Sequence, residues 1–262
     1  MKDIQKTVGI VTPAHNSEAT IAATLKSISE QTYPYFKVFV VNDHSSDNTA
    51  KIVENIAQKD SRFVLINLEN STGAAAARNK AIEAAHEAGV SYIAFLDGDD
   101  LWDKKKLETE VSFMEKTGTT FSYGDYKIAY PDGAIKKYRK SPKKMSYTRM
   151  LLGCSVGCLT VMYDANKVGK ISIPNLKKRN DYAIWCIILK RVKKGLKYPG
   201  LLATYNRSSS SLSSGKKTQL IKHHYRMHRQ VNGFSPLVAG FFTFTNAINY
   251  LFNISFGEKH IK

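Results

Sequence analysis

Four short apolar runs, each closed by polar residues and followed by a helical pattern, fill the first 116 of this chain's 262 residues. The run 8–12 ends at Pro13, and over 18–31 Ile21, Leu25 and Ile28 recur at helical spacing. The run 36–41 leads to a second helix at 49–57. The run 63–66 leads to an Ala-rich helix at 74–88, entered at Gly73. The run 92–96 stops at Asp97-Gly98-Asp99-Asp100, ahead of a helix at 103–116. Such alternation predicts βαβ units and a mostly parallel α/β sheet flanked by helices. The continuous apolarity of FKVFVV suits a sheet covered on both faces. Ligands of such sheets bind beyond the carboxyl ends of the strands. The polar clusters at 13–16, 42–47 and 97–100 all follow strands, which predicts a single ligand crevice.

Charge divides the chain. Residues 1–132 hold 14 Lys+Arg and 19 Asp+Glu, and residues 133–262 hold 25 and 3. A half with a net charge of +22 should attract polyanions such as phosphates, anionic lipid or nucleic acid. A hydrophobic content of 43% excludes a wholly disordered chain, and three cysteines exclude a disulfide scaffold. The N-terminal apolar stretch is too short for a signal peptide. Together with the cysteines it predicts a reducing, cytoplasmic setting.

The second half is less regular. Strands are expected at 119–123 and 126–130, with a hairpin turn at Pro131-Asp132-Gly133, and again at 159–163 and 201–205. A helix is expected at 181–192, and 208–214 reads as a polar loop. Residues 216–262 read as an appendage. A basic helix at 216–229 carries His223, His224 and His228 on what should be a solvated face. Residues 232–257 hold no charge but many aromatics. Asn and Thr interrupt this run too often for a spanning helix of about 20 apolar residues. A hairpin of amphipathic helices on an anionic membrane surface is expected, with packing on the domain or on a second copy (a homodimer) as the other reading.

Three carboxylates within Asp97–Asp100 repel one another, and a hard cation such as Mg2+ or Mn2+ would relieve them while bridging to phosphates. Asp100 reads as a local group leading into the next helix. Asp43 at the tip of the second strand can accept from a ribose or base, and Asp47 reads as the cap of the following helix. Gly73 opens a helix whose N-terminus and Arg78 suit an anion. No Gly-x-Gly-x-x-Gly follows the first strand and no Walker loop occurs. Cys154 and Cys158 lack zinc-like spacing and read as buried thiols.

Four stretches in order resemble one family. They are Val8-Gly9-Ile10-Val11-Thr12-Pro13-Ala14-His15-Asn16, Val41-Asn42-Asp43-His44, Gly73 to Ala77-Arg78-Asn79, and Phe95-Leu96-Asp97-Gly98-Asp99-Asp100. The chain resembles family 2 glycosyltransferases of the GT-A fold over about 7–215. That resemblance implies a catalytic domain at 1–215, with a nucleotide-binding half at 1–116, an acceptor half at 117–215 and a helical extension at 216–262. It implies metal-dependent, inverting transfer of a hexose from a nucleotide-diphosphate sugar, such as a UDP-sugar, to a lipid-linked or growing glycan. The setting would be capsule or lipopolysaccharide synthesis at the inner face of the membrane. By the same resemblance Pro13, Ala14, His15, Asn16, Glu18, Asp43, Arg78, Asp97 and Gly98 hold the donor. Asp99 with Asp97 holds Mn2+ or Mg2+. Asp181 of Arg179-Asn180-Asp181 is the base, Asn180 and Trp185 lie on the acceptor side, and Arg207 reaches the pyrophosphate. Ser211-Leu212-Ser213 resembles the family's mobile loop. Asn180 departs from the family's usual Glu.

Two other functions stay open on sequence grounds. A catalytically silent fold could bind nucleic acid through its basic half, although residues 136–144 hold one aromatic and no recognition motif. A sugar nucleotidyltransferase would need a Gly-rich basic loop after the first strand, which 13–16 lacks.

Overall fold

The computed structural model describes residues 6–176, 178–207, 217–251 and 258–261. Its N-terminal part is an α/β unit in chain order: β1 (Val8–Ala14), α1 (Ile21–Ser29), β2 (Phe36–Asn42), α2 (Thr49–Ala57), β3 (Phe63–Asn67), α3 (Ala74–Glu87) and β4 (Tyr92–Phe95). These four strands lie in the order β3-β2-β1-β4, all parallel. Alternate residues point to opposite faces of the sheet. Val11, Phe39 and Val41 join one core, against α3. Val8, Ile10, Val38 and Val40 join the other, with Leu25 of α1 and Val53 of α2.

Strand β1 runs through Pro13 to Ala14, rather than ending before the proline. β4 has already stopped at Phe95, opposite Val11. Pro13 therefore has a ladder neighbour on one side only, and such an edge position tolerates a residue without an N–H.

The second part continues the sheet in mixed sense. It comprises β5 (Leu101–Trp102), α4 (Lys106–Thr117), β6 (Phe121–Ala129), β7 (Ile135–Arg139), β8 (Lys144–Ser146), α5 (Tyr147–Leu152), β9 (Met162–Asp164), α6 (Ala165–Val168), α7 (Asn180–Val192) and β10 (Lys194–Asn206). β9 joins the halves, antiparallel to both β4 and β6. The two strands expected at 119–130 are one, β6. Gly124 does not break it but admits the Tyr198 ring, because a Cβ there would lie 2.6 Å from the Tyr198 hydroxyl. The run 159–163 splits into a 3-10 turn at Cys158–Thr160 followed by β9. β10 is far longer than its apolar run because it pairs with β5, β6 and β8 in turn, through register shifts.

Two helices follow, α8 (Lys217–Gln230) and α9 (Pro236–Leu251), then a short strand β11 (Glu258–His260) on the edge of β7. α9 is pinned to α5 where Asn246 Nδ2 donates to the carbonyl of Leu151 at 2.7 Å. The expectation that His228 is solvated is overturned, since it is fully buried. It lies against Tyr182, Phe234 and Phe242, and Asn232 donates to its Nδ1. Burial draws its pKa down to about 4, so it is neutral. The outer side of the helix pair exposes Leu237 and Phe244, 87% and 65% accessible. No helix among the described residues is long and apolar enough to cross a membrane.

Candidate active site

The carboxyl ends of β1, β2 and β4 open on a cavity of about 1600 Å3. That exceeds the roughly 300–1,000 Å3 of a single-ligand pocket, which leaves room for two substrates. Pro13, Ala14, His15, Asn16, Asp43, Arg78, Asp97, Gly98, Asp99, Asn180, Asp181 and Arg207 all line it. Residues separated by nearly two hundred positions thus share one space.

The floor is built by loop-to-loop hydrogen bonds. His15 Nδ1–H donates to the carbonyl of Asp43 at 2.7 Å, and that acceptor defines the tautomer. Asn16 Oδ1 accepts the Ser46 N–H at 2.9 Å. Asn16, His44 and Arg179 hold left-handed backbone, with φ of 49°, 54° and 68°. Such conformations gather at functional sites, where the surroundings over-determine them.

Asp43 is buried, and its carboxylate holds the entry to α3. It accepts the Thr72 N–H at 2.7 Å and the Gly73 N–H at 2.9 Å, with the Ser71 and Thr72 hydroxyls at 3.1 and 3.2 Å. Burial pushes its pKa up, but these four donors outweigh it and hold the carboxyl below its usual range. Asp43→Ala leaves the Thr72 and Gly73 N–H groups unmet, at about 1–3 kcal/mol for each such group. Urea unfolding should show a loss of about 2 kcal/mol.

Glu18 is not among the cavity-lining residues. Its carboxylate accepts the Asn48 N–H at 3.0 Å and the Asn48 amide at 2.8 Å, so it serves the start of α2. Asp47 does so too, accepting from Thr49 at 3.0 Å. Asp100 is buried, and α4 begins only at Lys106, so it does not lead a helix. It accepts the Asn206 N–H at 3.1 Å, while Asn206 Nδ2 donates to the carbonyl of Asp99 at 2.6 Å. The end of β10 thereby clamps the acidic turn.

Arg78 is the hub. One turn into α3 and almost wholly buried, it meets Asp97 Oδ1 at 2.6 Å through Nη2 and Asn180 Oδ1 at 2.9 Å through Nη1. Its Nε finds no acceptor among the described residues. Asn180 Oδ1 also accepts the Asp181 N–H at 2.9 Å, so Arg78 ties the acidic turn to the first turn of α7. A helix N-terminus favours the Asp181 carboxylate.

Burial, then the charge of Asp97, raises the pKa of Asp99 to about 6. Two crowded carboxylates with hard oxygen donors fit Mg2+ or Mn2+, which commonly take one or two carboxylates and complete their shell with water and phosphate. No three His, Cys, Asp or Glu residues form a complete cage among the described residues. A metal here would complete its shell with oxygens of water or substrate.

Trp185 does not face the cavity. It is fully buried, 5.2 Å from Phe95 and 5.7 Å from Phe121 between ring centroids. Its place in the middle of α7, on the sheet-facing side, puts it in the core. Cys154 and Cys158 line the cavity and are half-buried, packed against the core as well. Arg139, Arg179 and His224 also line it, although sequence alone assigns the two arginines no role and points His224 to a solvated face. A basic stretch or a His in a helix carries no local mark of what it faces. Glu258 meets Arg207 at 3.0 Å, Arg139 at 3.3 Å and Lys137 at 3.4 Å. Ser211, Leu212 and Ser213 lie outside the described residues.

Comparison with known proteins gives this site a family. The pattern described as glycosyl transferase family 2 matches residues 9–165. The chain belongs to that family. It is 39% identical over 215 residues to WfgD of Escherichia coli, covering 81% of this chain and 82% of that one. WfgD is named UDP-Glc:alpha-D-GlcNAc-diphosphoundecaprenol beta-1,3-glucosyltransferase. This chain is also 36% identical over 210 residues to TuaG of Bacillus subtilis, covering 80% of this chain and 82% of that one, and the name of TuaG places that protein in teichuronic acid biosynthesis. Among solved structures, S. aureus TarS 1-349 in complex with UDP-GlcNAc matches with a TM-score of 0.68 at 20% identity, covering 95% of this chain and 73% of that one. The family 2 chain is thus a glycosyltransferase with the GT-A fold, related to enzymes of bacterial polysaccharide synthesis.

Proposed function

We propose that this glycosyltransferase moves a hexose from a UDP-sugar to a hydroxyl of a lipid-linked glycan, with inversion and with Asp181 as base. One observation carries the reading. Asp97, Asp99 and Asp181 line a single cavity, and Arg78 and Asn180 link the Asp97 carboxylate to the backbone N–H of Asp181.

Donor and base occupy different elements. Ala74, the first residue of α3, lines the cavity, and the helix start beyond the Asp43-bound Thr72 and Gly73 N–H groups suits the diphosphate. Arg78 and Arg207 add positive charge, and Pro13, Ala14, His15, Asn16 and Gly98 form the wall for the nucleoside. The Asp97/Asp99 pair would hold Mn2+ or Mg2+, which supplies charge stabilisation to the leaving diphosphate. Asp181 takes the proton of the acceptor hydroxyl. The acceptor oxygen bonds to the anomeric carbon as the bond from that carbon to the diphosphate oxygen breaks, and the electron pair leaves with the nucleoside diphosphate. A single displacement inverts the centre. Asn180, bound to Arg78, keeps the first turn of α7 in place.

The lipid-linked acceptor is supported by the name of WfgD and by the exposed Leu237, Phe241 and Phe244 of α9 beside a basic α8. In this reading the enzyme works peripherally at the cytoplasmic membrane face, with the catalytic residues within 1–215 and the outer side of α9, within 216–262, facing the membrane. Hydrocarbon-like side chains with basic neighbours suit an anionic bilayer.

Thermal unfolding with UDP and Mn2+ tests the donor site. A hundredfold excess over Kd stabilises by about 2.7 kcal/mol, or roughly 5–10 °C for a chain of this size. The rise should need both ligands and vanish in Asp99→Asn. A rise that persists unchanged in Asp99→Asn would sink the metal assignment.

A further inference from the structure

We infer that the hydrocarbon chain of a lipid-linked acceptor leaves the active site along a groove between α8 and α9. This deepens the proposed acceptor reading and rests on it. The groove encloses about 550 Å3 and is lined by Ile221, Tyr225, Gly240, Thr243, Phe244 and Ala247, with Lys222 alongside. Ile221, Thr243 and Ala247 also line the active-site cavity. The two spaces therefore share three lining residues, and the inferred path runs over them.

Chemistry changes sharply along that path. The catalytic end presents Asp181, Arg179 and Asn180, whereas the groove surface is almost wholly apolar. The one hydroxyl of Thr243 is satisfied by the carbonyl of Ala239 at 2.7 Å, so covering it with hydrocarbon strands no polar group. Ile221 and Phe244 are 48% and 65% exposed, leaving apolar surface that a chain would cover. A ligand matched to both ends is polar and anionic at its head and hydrocarbon at its tail. A glycan diphosphate on a long lipid has that order. A nucleotide sugar has no such tail.

Chain length gives the test. GlcNAc diphosphate esters carrying a butyl or a hexadecyl chain are titrated into the full-length protein, below the concentration at which the long ester forms micelles. Each CH2 taken from water is worth up to roughly fourfold in affinity. The hexadecyl ester should bind at least tenfold more tightly than the butyl ester. Gly240→Trp should remove that ratio, because Gly240 lines the groove and a Cβ there has no neighbour within 4 Å, so the indole can occupy the groove. Gly240→Leu should remove part of it. Butyl binding and the UDP-dependent rise in Tm should not change, which also reports that the variants fold. Leu237→Glu, at the most exposed large apolar side chain among the described residues and away from the groove lining, should weaken sedimentation with anionic vesicles and keep the chain-length ratio.

Equal binding of the two esters, or the same ratio in Gly240→Trp as in the parent, would overturn the groove assignment and leave the acceptor reading intact. Loss of vesicle binding in Gly240→Trp with the ratio preserved would make this face a membrane contact only and likewise overturn it. If neither ester binds, the acceptor reading falls and takes the groove with it.

Discussion

Asp181→Asn is expected to cut the turnover number by about 10²–10⁴-fold, the range a positioned general base contributes. The carboxylate lies in the first turn of α7 and lines the cavity. Its side chain takes no hydrogen bond among the described residues, so an amide of the same shape disturbs little. What the amide lacks is the ability to accept the acceptor's proton. The loss should appear in kcat, with the UDP- and Mn2+-dependent rise in Tm retained, because Asp97, Asp99 and Arg78 are untouched. Loss of charge at the helix start costs only about 0.3–1 kcal/mol. Transfer at the parent rate would refute Asp181 as the base, and loss of nucleotide binding would recast it as a donor ligand.

Arg78→Met should damage both stability and donor binding. The guanidinium is buried and meets Asp97 at 2.6 Å and Asn180 at 2.9 Å. Burial disfavours its charge, but Asp97 and, to a lesser degree, Asp181 hold it ionised. Methionine fills much of the volume and removes the charge. Asp97 then lies beside Asp99 and Asp100 with no cation facing it. Breaking a buried pair costs about 3–5 kcal/mol, and the 31% exposure of the Asp97 side chain favours the low end. A fall of about 3 kcal/mol, or roughly 6–12 °C in Tm, is expected. Arg78→Met with Asp97→Asn should recover part of it, since that second change removes the stranded charge. A single-variant loss under 1 kcal/mol would show that solvent already screens Asp97 and that Arg78 is no hub.

The chemistry of the first half was legible because its signals are local. Each of β1 to β4 is a short apolar run, and each polar tip sits where a parallel sheet presents it. Asp97, Asp99 and Arg78 stand close to those tips, so order along the chain sufficed to bring them together. Asp181 depended on resemblance, since an acid in a first helical turn looks the same whether it caps or catalyses. Long-range pairing was hidden. β6 reads as two strands until Tyr198, 74 positions on from Gly124, explains the glycine. Asn180 shows no purpose until Arg78, 102 positions away, is beside it.

Sequence by itself determined the α/β alternation, the family and the acidic turn, all written in neighbouring residues by hydrophobic period and charge. Only the tertiary structure decided which face each side chain meets. It buried Trp185 and His228, turned Glu18 toward α2, and filled the Asp43 carboxylate with the Ser71–Gly73 donors. It also placed Ile221, Thr243 and Ala247 in the linings of both the catalytic cavity and the α8–α9 groove. The reason is physical: periodicity reports that a residue has a buried side, whereas the partner on that side is supplied by packing between elements far apart in the chain.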